Sequence, residues 1–147
     1  MPGIIVGVDG SEHSARSLEW AMSEAAARNA PLTVITVQPV AASYFANPVV
    51  LPADEPAREE VAQAAKEIAE KALAELGDRP RPASVTVRAI SGFPARELID
   101  ASRDADLLVV GSRGMGGFTR LMLGSVSSQV AQHAHCPIVI IPGDWRG

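Results

Sequence analysis

Short apolar runs alternate with amphipathic stretches along the chain. Five of the runs are nearly continuous in Val, Ile and Leu, which is typical of strands that are buried on both faces. They are IIVGV (4–8), LTVITV (32–37), SVTVRAI (84–90), DLLVV (106–110) and PIVII (137–141). The third run alternates between apolar and polar positions more than the first two, so we expect it nearer a sheet edge.

The stretches between the runs carry apolar residues at helical spacing. Ser11 is a residue type that caps a helix start, and Gly77 is one that ends a helix. The predicted helices extend from Ser11 to Asn29, over residues 57–76, from Pro94 to about Arg103, and from Val126 to Ala134. From Pro39 to Pro56, four prolines follow no period, which predicts a long loop (39–56) and a candidate lid.

The order β-α-β-α-β-α-β-α-β predicts an α/β fold with an open parallel sheet and helices on both faces. The 147 residues are enough for one domain, 1–147, with a single core. Apolar residues make up 47% of the chain and charged residues 20%, a composition that excludes a disordered protein.

The charge distribution narrows the classes of partner. Seventeen acidic and thirteen basic side chains leave a net charge of −4, and the arginines form no basic stripe, so no nucleic-acid surface is expected.

No apolar run approaches the roughly eighteen residues of a membrane span. The single cysteine cannot form an internal disulfide, and residues 1–10 lack the basic region of a signal peptide. We therefore expect a cytoplasmic protein.

The candidate chemistry lies in GSRGMGGFTRLMLGS (111–125), which follows the fourth apolar run and holds five of the chain's twelve glycines. In open α/β sheets, ligands bind beyond the carboxyl ends of the strands, where the winding direction reverses. Asp9 ends the first predicted strand and Gly111 the fourth, so both belong to this edge of the sheet.

This stretch contains two potential anion sites. The loop glycines, which would let backbone N–H groups converge on a phosphate, are Gly111, Gly114, Gly116 and Gly117. Gly124 and Ser125 begin the next helix, whose N-terminus attracts anions, and the hydroxyls of Ser125 and Ser127 add donors. Arg113 or Arg120 could supply positive charge. The alternative is that the glycines only make a tight connection between strand and helix.

Neither common phosphate-binding motif is present. A P-loop requires a lysine, and the nearest one, Lys71, lies in another predicted helix. The dinucleotide-binding fingerprint follows the first strand, where this chain has only DGS (9–11).

The glycine motif instead resembles that of the universal stress protein family, in its ATP-binding branch. The family pattern G-x-x-G, nine residues, G-[ST] is met by Gly111, Gly114, Gly124 and Ser125. IIVGVDGS and CPIVII are similar to the family's opening and closing strands, so the resemblance covers the whole chain. It implies a Rossmann-like five-stranded sheet of order 3-2-1-4-5, as in adenine nucleotide alpha hydrolase-like proteins. Phe93 departs from the small or acidic residue of the family pattern.

The resemblance also implies which residues surround a bound ATP. Asp9 would contact the ribose or a phosphate-bound metal such as Mg, Val37 would receive adenine through its backbone, and Gly7 would lie beside the nucleotide. The implied set is Gly7, Asp9, Val37, Gly111, Ser112, Arg113, Gly114, Met115, Gly116, Gly117, Gly124, Ser125, Val126 and Ser127.

Two other clusters contain residue types of different chemistry. Asp9, Ser11 and His13 are the residue types of a hydrolytic triad, but neighbours on one turn cannot easily align, so we expect Ser11 to cap a helix and His13 to lie at the surface. Residues 133–136 hold two histidines and Cys136, yet donors this crowded rarely surround one tetrahedral ion. A buried structural Cys136 is therefore expected.

The last apolar run would leave an exposed sheet edge, which predicts a homodimer joined through residues 137–141 unless the tail GDWRG (143–147) covers it.

The first functional hypothesis is an ATP-binding regulatory homodimer of the stress response, without catalytic residues and with at most slow hydrolysis. The alternatives are a magnesium-dependent ATP hydrolase or phosphotransferase with Asp9 holding the metal, a relative that binds AMP or a cyclic nucleotide, and a nucleotide-free interaction module.

Overall fold

Strands and helices alternate along the chain as the apolar pattern predicts. The computed structural model describes residues 3–39, 55–112 and 124–146. The strands in these ranges are β1 (Ile4–Val8), β2 (Pro31–Pro39), β3 (Ser84–Gly92), β4 (Leu107–Gly111) and β5 (Ile138–Ile141). The helices are α1 (Glu12–Arg28), α2 (Glu55–Leu76), α3 (Pro94–Ala101) and α4 (Ser125–His133), with a 3-10 turn at Ser102–Asp104.

The five strands form one sheet in the order β3-β2-β1-β4-β5, and each neighbouring pair is parallel. This confirms the predicted order 3-2-1-4-5 and the place of the third strand at an edge. The winding direction reverses between β1 and β4. The ligand crevice of a sheet of this kind therefore lies beyond the carboxyl ends of those two strands.

The core has two layers because successive strand residues point to opposite faces of the sheet. On one face, Ile4, Val6 and Val8 pack with Leu18 and Met22 of α1. On the other face, one cluster joins Ile5 and Ile35 of the sheet to Leu98 of α3 and Val130 of α4. Helices thus cover both faces, as predicted.

Local signals explain where α1 and α2 begin and end. The Ser11 hydroxyl accepts a hydrogen bond from the Ser14 N–H at 3.2 Å, so Ser11 caps α1 as predicted. Asn29 ends α1 in a left-handed conformation with φ of 50°, and Gly77 follows α2 with φ of 57°. Helix α2 begins at Glu55, two residues before the predicted start, because a proline is tolerated in the first turn, as Pro56 is here.

Other boundaries also differ from the prediction by one or two residues. β2 and β3 each extend two residues further, to Pro39 and Gly92, because those ends pair with each other. Helix α3 ends at Ala101, and the 3-10 turn takes up the remaining predicted residues. Most of the predicted 39–56 loop, residues 40–54, lies outside the described residues. No helix in the described ranges is long and apolar enough to cross a membrane.

Candidate functional site

The carboxyl edge of the sheet places three of the predicted site residues side by side. β1 pairs with β2 through Val8 and Thr36, and with β4 through Val6 and Val109. Asp9 and Val37 each follow the last β1–β2 pair by one residue, and Ser112 follows the last β1–β4 pair by three residues. All three therefore lie at the carboxyl ends of neighbouring strands, at the switch point.

Asp9 is held at this edge by a tight turn. Its Oδ1 accepts a hydrogen bond from the Ser11 N–H at 2.9 Å, and Gly10 between them has φ of 85°. Such a conformation favours glycine because a side chain would be strained there. The Asp9 residue stays exposed, so its carboxylate is accessible at the crevice.

The two described halves of the glycine motif lie in direct contact. The Gly124 N–H donates to the Ser112 carbonyl at 2.8 Å, and the Ser112 N–H donates to the Ile141 carbonyl at 2.9 Å. These bonds fix the start of α4 against the end of β4. Ser125, the first residue of α4, is exposed, and the first N–H groups of a helix have no partner within it. The site therefore presents a helix N-terminus at the crevice, which suits an anion.

Ser127 contributes to this arrangement from inside the protein. It is 2% exposed, and its hydroxyl lies 3.1 Å from the Gly124 carbonyl and 3.3 Å from the Ser112 carbonyl, to either of which it can donate. The Ser127 side chain therefore helps to hold the first turn of α4 on the end of β4.

Gly7 and Val37 are part of the packing below the edge. A Cβ atom built on Gly7 would lie 2.9 Å from Cδ1 of Leu98, so the absence of a side chain at Gly7 makes room for α3. Val37 is half-buried and packs on the same apolar cluster as Leu98. The Val126 side chain also packs on this cluster.

The remaining predicted site residues cannot be placed in this arrangement. They lie outside the described part of the chain and are Arg113, Gly114, Met115, Gly116 and Gly117.

Two polar side chains at this edge were not singled out by the sequence analysis. Gln38 and Ser91 pair across β2 and β3, and the Gln38 Oε1 and Ser91 Oγ atoms are buried without a hydrogen-bond partner in the described structure. The signal that could have found them is a polar residue at the end of each apolar run. The pairing that brings them together depends on strand register, which these runs do not show.

The alternative hydrolytic triad is not assembled. The Ser11 hydroxyl caps α1, the Asp9 carboxylate closes its own turn, and His13 Nδ1 lies 3.2 Å from the Gly143 carbonyl. Each side chain thus has a separate partner, as expected from their place on one turn.

The alternative metal cluster also receives no support from the described ranges, where no three His, Cys, Asp or Glu side chains group as metal ligands. Cys136 is partly buried, and its thiol donates to the Pro137 carbonyl at 3.3 Å. Burial, and secondly the Asp106 carboxylate, raises the pKa of the Cys136 thiol above its usual value. This keeps the thiol protonated near neutral pH and poorly nucleophilic.

Comparison with known proteins identifies the relatives of this chain. A model described as the universal stress protein family matches residues 2–142. The chain is 38% identical over 143 residues to a universal stress protein of Mycolicibacterium smegmatis, a match that covers 97% of this chain and 48% of that protein. The chain spans about half the length of the curated relatives that it matches.

Solved structures share the fold. A universal stress protein crystallised in complex with cAMP superposes with a TM-score of 0.67 and 27% identity, covering 97% of this chain and 98% of that one. The universal stress protein of Archaeoglobus fulgidus in complex with dAMP has a TM-score of 0.66 and 22% identity, covering 96% of this chain and 98% of that one.

Proposed function

This chain belongs to the universal stress protein family, and we propose that it binds an adenine nucleotide at the carboxyl edge of its sheet. The phosphates would lie at the start of α4, and the nucleoside would extend over β1 and β2. The observation that carries the proposal is the hydrogen bond from the Gly124 N–H to the Ser112 carbonyl, at 2.8 Å. It joins the two described parts of the glycine motif, at the end of β4 and the start of α4, on the edge of the sheet where Asp9 also lies. The structures with cAMP and dAMP support adenine as the base.

The physical basis for phosphate binding is the N-terminus of α4. The first N–H groups of a helix have no partner within it, and together with the helix dipole they favour a negative charge at this position. Ser125 is exposed there and its hydroxyl can donate to a phosphate oxygen. Ser127 and Ser112 hold the helix start in place, so the start of α4 needs little rearrangement on binding.

Asp9 has a separate role in this proposal. A carboxylate at the end of β1, between the ends of β2 and β4, would lie near the ribose of a bound nucleotide and can accept hydrogen bonds from ribose hydroxyls. Magnesium is commonly held by one or two carboxylates together with substrate phosphates, a ligand set that the exposed Asp9 carboxylate fits. A bound magnesium ion would neutralise phosphate charge.

At a finer level, we propose that the nucleotide is ATP and that it regulates a cytoplasmic homodimer in the stress response. Support for the dimer comes from β5, which in the described structure pairs with β4 on one side only. Ile138, Val139 and Ile140 of β5 are only partly buried, so a second copy could pair there and cover the remaining apolar surface. We propose binding rather than rapid turnover, with Arg113 and Gly114–Gly117 completing the phosphate site.

Substitution of Ser125 tests the phosphate position. We expect Ser125→Asp to weaken ATP binding at least tenfold, because its carboxylate would repel the phosphates, while the α4 N-terminus favours an acidic residue and keeps the fold stable. Isothermal titration calorimetry measures the affinity and thermal unfolding checks the fold.

The neutral variant Ser125→Asn, which has nearly the same size, is the matched control and should bind ATP within about threefold of the wild type. Wild-type affinity in the Asp variant, or an equal loss in both variants, would contradict a phosphate at this helix start.

A further inference from the structure

Phe93 is the one large hydrophobic side chain that residues 3–39, 55–112 and 124–146 leave exposed, at 47% of its surface. It follows β3 and occupies the N-cap position of α3, with an extended backbone (φ −96°, ψ 117°). An exposed aromatic ring at the carboxyl edge of the sheet is unusual enough in this chain to need a reason.

Helix formation does not provide that reason. N-cap positions favour Asn, Asp, Ser and Thr because their side chains accept a hydrogen bond from the first turn. α3 has no side-chain bond of this kind at its start. Phe93 therefore leaves the helix without a side-chain cap and leaves nearly half of its own surface in water, so neither capping nor full burial accounts for a phenylalanine here.

The position of Phe93 relative to α4 suggests a ligand. α3 and α4 pack on the same face of the sheet, where Leu98 and Val130 share one cluster, and both helices begin at the carboxyl edge. β2 and β1 lie between β3 and β4, and three strand spacings are about 14 Å, so a ligand that reaches both Phe93 and the start of α4 would lie across this edge of the sheet. On the other side, Gly92 pairs with Pro39, which places the ring beyond the end of β2.

The backbone that carries the ring is well held. Pro94 fixes the first residue of α3, and the Glu97 N–H donates to the Phe93 carbonyl at 3.0 Å. The Glu97 side chain fills the space beside Gly92, where a Cβ atom would lie 2.7 Å from its Oε1. The backbone at Phe93 is thus held in one conformation, so less conformational entropy is lost when a ligand packs against the ring.

We propose that Phe93 is a base-stacking residue, whose ring packs against the face of a purine base. This inference rests on the proposed function, because the phosphates of the same nucleotide would occupy the start of α4. A nucleotide laid along the carboxyl edge, from α4 past Asp9 and Val37, brings its base to the corner formed by β2 and α3. The ring is a π surface that adds affinity for the base and none for the phosphates.

Removal of the ring should weaken the binding of nucleotides selectively. We expect Phe93→Ala to lower the affinity for AMP and ATP about 5- to 100-fold, the usual range for loss of one aromatic stacking partner. Affinity for inorganic tripolyphosphate, which has no base, should stay within twofold. Phe93→Tyr keeps the ring and should bind AMP nearly as the wild type does, whereas Phe93→Leu keeps apolar bulk without the π surface and should fall between.

A second variant separates the ligand role from a structural one. Phe93→Asn supplies the missing cap, so its melting temperature should rise by about 2–4 °C while its AMP affinity falls as in the Ala variant. Calorimetry and thermal unfolding of the full chain measure both quantities.

The outcomes separate this proposal from the one on which it rests. If the wild type binds neither AMP nor ATP, both proposals fail. If the wild type binds and Ser125→Asp does not, but Phe93→Ala binds AMP as the wild type does, the stacking role alone is overturned. An equal loss of tripolyphosphate and AMP binding in Phe93→Ala would also overturn it, because the ring would then act through the fold.

Discussion

At the scale of single residues, the described residues of the candidate site divide into those that face the crevice and those that hold it in shape. Asp9 and Ser125 are exposed at the edge, whereas Ser127 is buried and bonds to backbone carbonyls. Gly7 belongs to the second group, because the missing side chain admits Leu98. The predicted place of Gly7 beside a nucleotide stays a prediction, and the packing supplies a separate reason for glycine.

Gly7→Ala tests that reason. The added methyl group would meet Leu98 Cδ1 at 2.9 Å in a buried cluster, so we expect the free energy of unfolding to fall by about 1–2 kcal/mol. Chemical denaturation measures the change. In a Leu98→Ala background the same substitution should cost less, since the clashing atoms are gone, and a double-mutant cycle would show the coupling. Additive effects of the two substitutions would contradict the packing explanation.

At the scale of elements, sequence periodicity predicts strands better than it predicts their ends. All five apolar runs became strands, because a continuous run of Val, Ile and Leu is satisfied by burial on both faces. The ends of β2 and β3 were missed because Pro39 and Gly92 are poor strand residues by themselves and are strand residues here only through mutual pairing. The start of α2 was missed because Pro56 resembles a loop residue, although a first helical turn tolerates it.

The same distinction applies to the site. The parallel order of the strands predicts that Asp9 and Gly111 share one edge of the sheet. The helical spacing of apolar residues predicts the start of α4. The buried bonds of Ser127 and the cross-strand pair of Gln38 and Ser91 depend on register and on the approach of α4 to β4. Local spacing contains no information on either contact, so the sequence could not show them.

The edge strand β5 carries a prediction at this scale. If two copies pair through residues 137–141, Ile140→Lys should place a charge in the interface and convert the dimer to a monomer. Light scattering coupled to size-exclusion chromatography measures the mass. The wild type and the control variant Ile140→Val should both have twice the mass of one chain, and a wild-type monomer at micromolar concentration would contradict pairing through β5.

At the scale of the whole molecule, the fold places its chemistry at one end. Parallel strands point their carboxyl ends to the same edge, and every crossover helix begins there, so the Asp9 turn, the start of α4 and Phe93 share one surface. The opposite edge holds the end of α2, where Arg79 donates to the carbonyls of Glu75 and Leu76. A bound nucleotide should therefore affect the carboxyl edge of the sheet and leave the opposite edge unchanged.

Titration of the ¹⁵N-labelled protein with AMP and ATP, followed by two-dimensional NMR, tests both whether a nucleotide binds and where it binds. We predict that the backbone amides of Asp9, Ser112, Gly124 and Ser125 shift as the nucleotide is added, while those of Asp78 and Arg79 at the opposite edge stay in place. Unchanged spectra at millimolar nucleotide, or shifts concentrated around Asp78 and Arg79, would contradict the account.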